Sequence, residues 1–509
     1  KVYEGILMAD PNNLVVKANF ANVLMIMGRI GQAKAFLLDV APQLEEVGPW
    51  YNLARIALSE FDYEKYLIYI QKAEDISPKH PGISYLKGKY HYELGEYSEA
   101  HDNLILSINL NPANKDAWML LQTIAPQYIN RDKVLAILRS PKIKSIDSPA
   151  SLTHMISVCR KNMIWDTLLD LEHQVDRSLM SPTQIPLGIS SSFTLLATSI
   201  SQFAHKNAAI SVWNNLVGNG NPRPGPSLVG LRGNRKLRVG ILSSDFVRHA
   251  GATLMIGMIE NLSHEKIEWF AYSNGRNDDS EVRNRFKAAF DRFINIYDLN
   301  QRELADRIKA DQIDILIDRN GITKNTRITT MAYRAAPIQL TYLAMPGSSG
   351  GVGHVDYIVA DKWVVNSENR NGFSENIIQF PVSYQPNDYK TYDKFISSTR
   401  FDHQLPKEVF VFCCFNNMYK LSPDTFEAWA EILVNTGDAV LWLLSPGHKV
   451  LEDAIRNFFI ERNIAGERII FGKRLKHHEH ISRLIHADLI LDTWPYGAHT
   501  TASDALRIG

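Results

Sequence analysis

Apolar and polar residues alternate along this chain in two rhythms. Up to about Val217 the apolar positions recur at helical spacing, and from Lys236 short apolar runs alternate with amphipathic stretches. Within the first rhythm, turn clusters return at Asp10-Pro11-Asn12-Asn13, Ser77-Pro78-Lys79-His80 and Asn111-Pro112-Ala113-Asn114. A second turn falls midway in each unit, at Met27-Gly28-Arg29, Phe61-Asp62-Tyr63 and Leu94-Gly95-Glu96-Tyr97. Pro78 and Pro112 lie 34 residues apart. Ala33 and Ala100 follow two of the midway turns and are small enough to let paired helices approach. A helix–turn–helix unit of this length with Leu-Gly, Tyr, Ala and a closing Pro is the tetratricopeptide pattern. Tyr85–Pro112 fits it best, and the flanking units are degenerate. Stacked units of this kind form a superhelix whose concave surface takes a protein partner.

Residues 122–217 keep helical periodicity but lose the repeat. Leu168, Leu169, Leu171, Val212, Trp213 and Leu216 are apolar at helical spacing, and Met163 and the run Phe193–Leu196 read as core. The run from Gly218 to Pro226, rich in Gly, Asn and Pro, reads as a domain boundary. Beyond it, strands are expected at 237–242, 267–272, 293–296, 313–317 and 339–343, with helices between the earlier ones. A second series has strands at 409–415, 440–444, 468–471 and 489–491. Strands alternating with helices predict two parallel, doubly wound sheets. The expected division is therefore repeats at 1–121, a helical connector with a Pro/Gly-rich linker at 122–235, and α/β domains at 236–385 and 386–509.

In such sheets ligands sit at the carboxyl ends of the strands. There the sequence places Asp245 to Gly251 with His249, Asp318 to Lys324 with Thr323, and the loop Met345-Pro346-Gly347-Ser348-Ser349-Gly350-Gly351. In the second domain Asn416-Asn417-Met418-Tyr419-Lys420 follows a strand. Asp492, a Pro495/Gly497 turn and His499-Thr500-Thr501 open the last helix, with Asp504 one turn in. Hydroxyls and open N–H groups at a helix start make an anion site, and a lysine past a strand end is a natural phosphate partner. The run Lys473 to His480 invites a metal reading, but His477, His478 and His480 do not share a helix face, and a basic helix start beside a phosphate fits better. No dinucleotide G-x-G-x-x-G and no Asp-x-Asp triplet occurs. This disfavours a nicotinamide enzyme and a carboxylate-held metal.

Composition alters this picture little. Of 509 residues, 45% are hydrophobic and 22% charged, and 55 Lys+Arg balance 55 Asp+Glu. That balance gives no support to nucleic-acid binding. Cys159, Cys413 and Cys414 have neither disulfide nor metal spacing, which points to a reducing, cytoplasmic compartment. No apolar run has the length of a membrane span. The chain opens on Lys1, and the expectation is a fragment of a longer protein.

Jointly, several motifs resemble the O-linked N-acetylglucosamine transferase and SPINDLY family. They are Leu237-Arg238-Val239-Gly240 through Ser243-Ser244-Asp245-Phe246, Asn320-Gly321-x-Thr323-Lys324, Ala336-Pro337-Ile338-Gln339 and Pro346-Gly347-Ser348-Ser349-Gly350 with Asp356-Tyr357-Ile358. Phe415-Asn416-x-x-Tyr419-Lys420 and His499-Thr500-Thr501 with Asp504 complete the set, in the family's order and after repeats, as there. The resemblance implies a GT-B fold of two Rossmann-like domains around a cleft. It implies inverting, metal-independent transfer of N-acetylglucosamine from UDP-N-acetylglucosamine to Ser or Thr hydroxyls of proteins held by the repeats. No other cofactor, nucleic acid or membrane is expected, and self-association is left open. Lys420 would pair with the donor diphosphate, and His499, Thr500 and Thr501 would hold its phosphates. Asp504 would bind the ribose, Arg483 would lie by the base, and His480 and Asn417 would border the donor; Asn417 stands where the family often has Gln, and His477 where it often has Lys. His249 and Lys420 would be the catalytic pair, with Thr323 and the Pro346–Gly350 loop bordering sugar and acceptor. Fucosyl transfer from GDP-fucose and a non-catalytic nucleotide-binding scaffold are the alternatives. The family continues past the last helix, so the second domain is expected to be incomplete at Gly509 and residues 1–509 alone to be weakly active or unstable.

Overall fold

The computed structural model describes residues 2–180, 189, 191–218, 235–392 and 395–509. Of the expected boundary run only Gly218 falls among them. The chain divides into two compact units, Lys1–Ile146 and Asp147–Gly509.

The first unit is helical. Three antiparallel pairs follow one another: Leu14–Ile26 with Ile30–Val40, Val47–Ser59 with Tyr63–Ile76, and Pro81–Glu93 with Tyr97–Leu110. Successive pairs start at Leu14, Val47 and Pro81, so the period seen in the turns is the period of the helices. Asn13, Asp62 and Asn114 accept backbone N–H bonds at helix starts, which fixes the register of the turns. Gly28 and Gly95 take left-handed φ of 74° and 79° at two of the midway turns, and Phe61 does the same job at φ 58° in the midway turn that has no glycine. Ala33 and Ala100 are buried at the helix contacts; the middle unit has Tyr66 there instead, stacked on Tyr90 at 4.8 Å.

The second unit holds the helices Pro149–Lys161, Leu168–Leu179 and Gln202–Val217 and two parallel sheets. The helical connector expected at 122–235 is thus divided: helix Arg131–Leu138 falls in the unit of the repeats, and helices Pro149–Lys161, Leu168–Leu179 and Gln202–Val217 in the unit of the sheets. The first sheet contains β1 (Leu237–Ser243), β2 (Ile267–Ser273), β3 (Arg292–Asn295), β4 (Ile315–Asp318), β5 (Ile338–Thr341), β6 (Tyr357–Asp361) and β7 (Asn376–Phe380), in the order 3-2-1-4-5-6-7. The second contains β8 (Val411–Cys414), β9 (Val440–Leu444), β10 (Ile469–Gly472) and β11 (Leu489–Ile490), in the order 10-9-8-11. The central strands are apolar on both faces, as parallel strands covered by helices require. Strand order reverses beside β1 and beside β8. The crevices therefore open beyond β1 and β4 in the first lobe and beyond β8 and β11 in the second.

Among the described residues no helix is long and apolar enough to cross a membrane. No group of three or more His, Cys, Asp or Glu side chains is placed there to hold a metal ion.

Candidate active site

The four loops at the two reversal points face one cavity of about 590 Å³. In the second lobe the chain leaves β8 through Asn416 and Asn417 into a short turn, Met418–Lys420, that tucks Lys420 inward. Lys420 Nζ donates to the Gly497 carbonyl at 2.8 Å and lies 4.1 Å from the centre of the Tyr496 ring. Burial pushes the ammonium down to about 8, against the pull of Asp492.

The loop after β11 is folded on itself. Asp492 Oδ1 accepts the N–H groups of Thr493 and Ala498, both at 2.7 Å. Asn416 ties this loop to the first, donating to Thr493 Oγ1 at 3.0 Å and accepting from Thr501 Oγ1 at 2.7 Å. Helix Thr500–Ile508 then starts at His499 with no side-chain cap, and His499, Thr500 and Thr501 at this uncapped start line the cavity. Burial and the nearby Lys420 push His499 down to about 4, leaving it neutral at pH 7. An ammonium, two hydroxyls and an uncapped helix start thus converge. Negative charge on a ligand would be met by all of them.

The first lobe supplies the opposite wall. Asp245 is held by Arg319, by Asn320 Nδ2 at 3.1 Å and by Ser244 Oγ at 2.9 Å. A Cβ at Gly251 would fall 1.7 Å from Arg319 Nη2, so any side chain there would have to displace the guanidinium that holds Asp245. Asp318 is fully buried beneath this loop. It accepts the Gly321 N–H, and burial pushes it up to about 7. Thr323 donates to the Asn320 carbonyl at 2.9 Å. His249 Nδ1 accepts the Gly251 N–H at 3.1 Å. A neutral ring with Nδ1 accepting carries its proton on Nε2, so its other nitrogen is a donor.

His249, Thr323, Asn417, Lys420, His499, Thr500, Thr501 and Asp504 line this cavity together, with His477. The other expected residues stand elsewhere. Pro346 and Gly347 line an adjoining cavity of about 840 Å³ that shares Arg319, Tyr496 and His499 with the first. Ser348 and Ser349 turn inward to the buried carboxylate of Glu375, and Gly350 backs onto helix Gln202–Val217. Arg483 is buried between the Phe415 and Trp442 rings; it donates to the Lys473 carbonyl at 2.6 Å and meets His480 Nδ1 at 2.8 Å. His480 faces a smaller apolar cavity of about 220 Å³ under the last helix, which shares Phe415, Asn416 and Thr501 with the main one. Phe193, expected in the core, lines the main cavity, as do Arg319 and Tyr496, whose place there no single motif indicates. The Phe193 position carries no local signal, because the rings it meets in the cavity lie more than 200 residues along the chain.

The architecture is that of a two-lobed α/β protein of GT-B type, with a cationic pocket at an uncapped helix start on its second lobe, preceded in sequence by tetratricopeptide-like repeats. The sequence profile described as "Glycosyl transferase family 41" matches residues 227–397 and 387–509, and a tetratricopeptide profile matches 47–80. The chain belongs to glycosyl transferase family 41. It is similar to the Arabidopsis thaliana protein named "Probable UDP-N-acetylglucosamine--peptide N-acetylglucosaminyltransferase SEC", at 34% identity over 283 residues, covering 54% of this chain and 29% of that one. It is also similar to the Arabidopsis thaliana SPINDLY protein of otherwise the same name, at 24% identity over 286 residues, covering 54% of this chain and 30% of that one. The matches span about three tenths of these relatives' lengths. A solved mutant of the Thermobaculum terrenum O-GlcNAc transferase shares the fold with a TM-score of 0.61 at 22% identity, covering 91% of this chain and 81% of that one.

Proposed function

We propose that this chain transfers N-acetylglucosamine from UDP-N-acetylglucosamine to Ser or Thr hydroxyls of proteins, with inversion and without a metal ion. One observation carries the reading. Lys420 and the uncapped helix start at His499-Thr500-Thr501 converge on one cavity at the reversal point of the second sheet. In the transfer the acceptor oxygen bonds to the anomeric carbon as the bond to the diphosphate breaks, the departing electron pair stays on phosphate oxygen, and the hydroxyl's proton passes to the departing diphosphate. Without a metal, that charge must be met by protein groups already in place, and this cavity supplies an ammonium, hydroxyls and backbone N–H groups. Direct displacement from the far side inverts the anomeric centre. Asp504, one turn into the helix and lining the same cavity, suits a ribose hydroxyl. His249, with Nδ1 occupied, suits a phosphate or sugar oxygen as donor rather than the acceptor's proton.

The repeats present the protein acceptor, the role of a concave helical array. The three cysteines are buried and unpaired, which suits a reducing, cytoplasmic setting. The test is intact-mass spectrometry of acceptor proteins after incubation with UDP-N-acetylglucosamine or GDP-fucose. Addition of N-acetylhexosamine from the uridine donor supports the reading. Addition of deoxyhexose from the guanosine donor replaces it with fucosyl transfer, and nucleotide binding without any addition replaces it with a scaffold.

A further inference from the structure

The helical segment between the repeats and the first sheet fastens to both lobes. On one side Met163 is buried in the second lobe's core with Phe426 and Phe459. The Trp165 ring meets Phe426 at 4.8 Å, and Arg160 Nη1 donates to the Leu421 carbonyl at 3.3 Å. On the other side Trp213 is buried in the first lobe's core and stacks on His354 at 5.5 Å. The two sides are tied together: Glu172 pairs with Arg160 at 2.7 Å and accepts the Ser199 N–H at 3.0 Å. Asp176 accepts the Ser201 N–H at 2.7 Å.

Between these anchors the short turn Phe193–Ala197 reaches the cavity. The Phe193 ring lies 6.0 Å from Tyr419 and 6.0 Å from Tyr496, which are themselves 5.9 Å apart. Tyr496 is the ring beneath Lys420. The three rings therefore form one aromatic cluster, whose Tyr496 member lies against the Lys420 ammonium.

We propose that Phe193 is a positioning residue of the donor site, supplied by the connector, which braces Tyr419 and Tyr496 and keeps water from the Lys420 ammonium. The inference rests on reading the Lys420 cavity as a diphosphate site. An ammonium stripped of water binds a phosphate oxygen more strongly than a hydrated one. Several groups face Lys420. Asp492 favours its charge, His499 is neutral at pH 7, and the buried Cys414 thiol and the two tyrosines stay protonated because burial raises them. Loss of the Lys420 proton is thus the event that weakens anion binding as pH rises.

The test titrates inorganic pyrophosphate into residues 1–509 by calorimetry between about pH 6.5 and about pH 10, for the native chain, Phe193→Ala, Phe193→Leu and Lys420→Ala, with circular dichroism as the check on folding. Native affinity is expected to fall as pH rises through about 8. In Phe193→Ala the midpoint moves upward by a unit or more, toward the ordinary lysine value of about 10.4. At about pH 9 the variant then keeps up to about tenfold more of its low-pH affinity than the native chain keeps. Phe193→Leu, which preserves most of the packing, moves the midpoint the same way by less and stands in if the alanine variant does not fold. An unmoved midpoint in a folded variant, with binding still weakened in Lys420→Ala, overturns the inference and leaves the donor-site reading in place. Pyrophosphate binding that is indifferent to Lys420→Ala overturns both.

Discussion

Replacing Glu375 should loosen the Pro346–Gly350 loop without touching the pocket around Lys420. Glu375 is 2% exposed. Its carboxylate accepts the Ser349 N–H at 2.6 Å, Ser348 Oγ at 2.9 Å, the Ser374 N–H at 3.1 Å and Ser349 Oγ. The hydroxyls in turn accept the next amides, Gly350 N at 3.1 Å from Ser348 Oγ and Gly351 N at 3.2 Å from Ser349 Oγ. Glu375→Ala therefore strands the Ser349 N–H outright and leaves two hydroxyls to find other acceptors. A buried donor left unsatisfied costs about 1–3 kcal/mol, and more where the lost partner was charged, so about 3–5 kcal/mol of local stability goes with the carboxylate. At about 1.4 kcal/mol per factor of ten, amide exchange across 346–351 should quicken by about 100-fold or more. Glu375→Gln keeps one acceptor oxygen and should lie near tenfold. Hydrogen-exchange mass spectrometry reads both, with helix Glu281–Ala289 as the unaffected reference. Exchange within about threefold of native in a folded Glu375→Ala chain would refute the claim that this carboxylate holds the loop.

Glu172→Ala leaves Arg160 buried without its partner, and a loss of about 3–5 kcal/mol is expected in urea unfolding of the sheet-bearing unit; an unchanged midpoint would show the pair to be dispensable. Asp318 sits above its ordinary carboxyl value in the folded chain, so the charged form is disfavoured there and stability falls as pH rises from about 4 to about 7. Asp318→Asn should accordingly raise the urea midpoint at pH 8 and leave it alone at pH 4, and equal effects at both would be contrary evidence. His249→Ala should weaken donor affinity and keep the acid limb of the pH–rate profile, because Nδ1 already accepts the Gly251 amide; loss of that limb would make His249 the base.

Much of the fold is legible in the sequence because it is locally written. The repeat period survives in the turn residues, since Asn13, Asp62 and Asn114 must cap helices and Gly28 and Gly95 must take left-handed φ. β1 to β4 and β8 to β11 announce themselves as short runs between helices, and β5 as an apolar run before the glycine-rich loop. β6 and β7 do not, because no α-helix separates them from β5 or from each other, and the β–α rhythm stops. The connector misleads for a related reason. Its helices look like a spacer, yet Met163 and Trp213 fill the cores of two different lobes. In the site, residues carried by one short loop, such as Lys420 or Thr500 and Thr501, are readable from a strand end or a helix start. Those set by distant partners are not. Ser348 and Ser349 look like exposed loop hydroxyls until Glu375 is brought to them, and Arg483 looks like a ligand cation until Phe415 and Trp442 enclose it.

The proposed nucleoside-diphosphate site rests on Lys420 and the helix start at His499. Calorimetric titration of UDP and GDP into residues 1–509, native and Lys420→Ala, tests that most directly. Saturable UDP binding at one site, weakened by about 10–100-fold in Lys420→Ala as expected for a lost charged hydrogen bond, with GDP weaker than UDP, is the predicted result. UDP binding of equal strength in the native chain and a folded Lys420→Ala variant would contradict it.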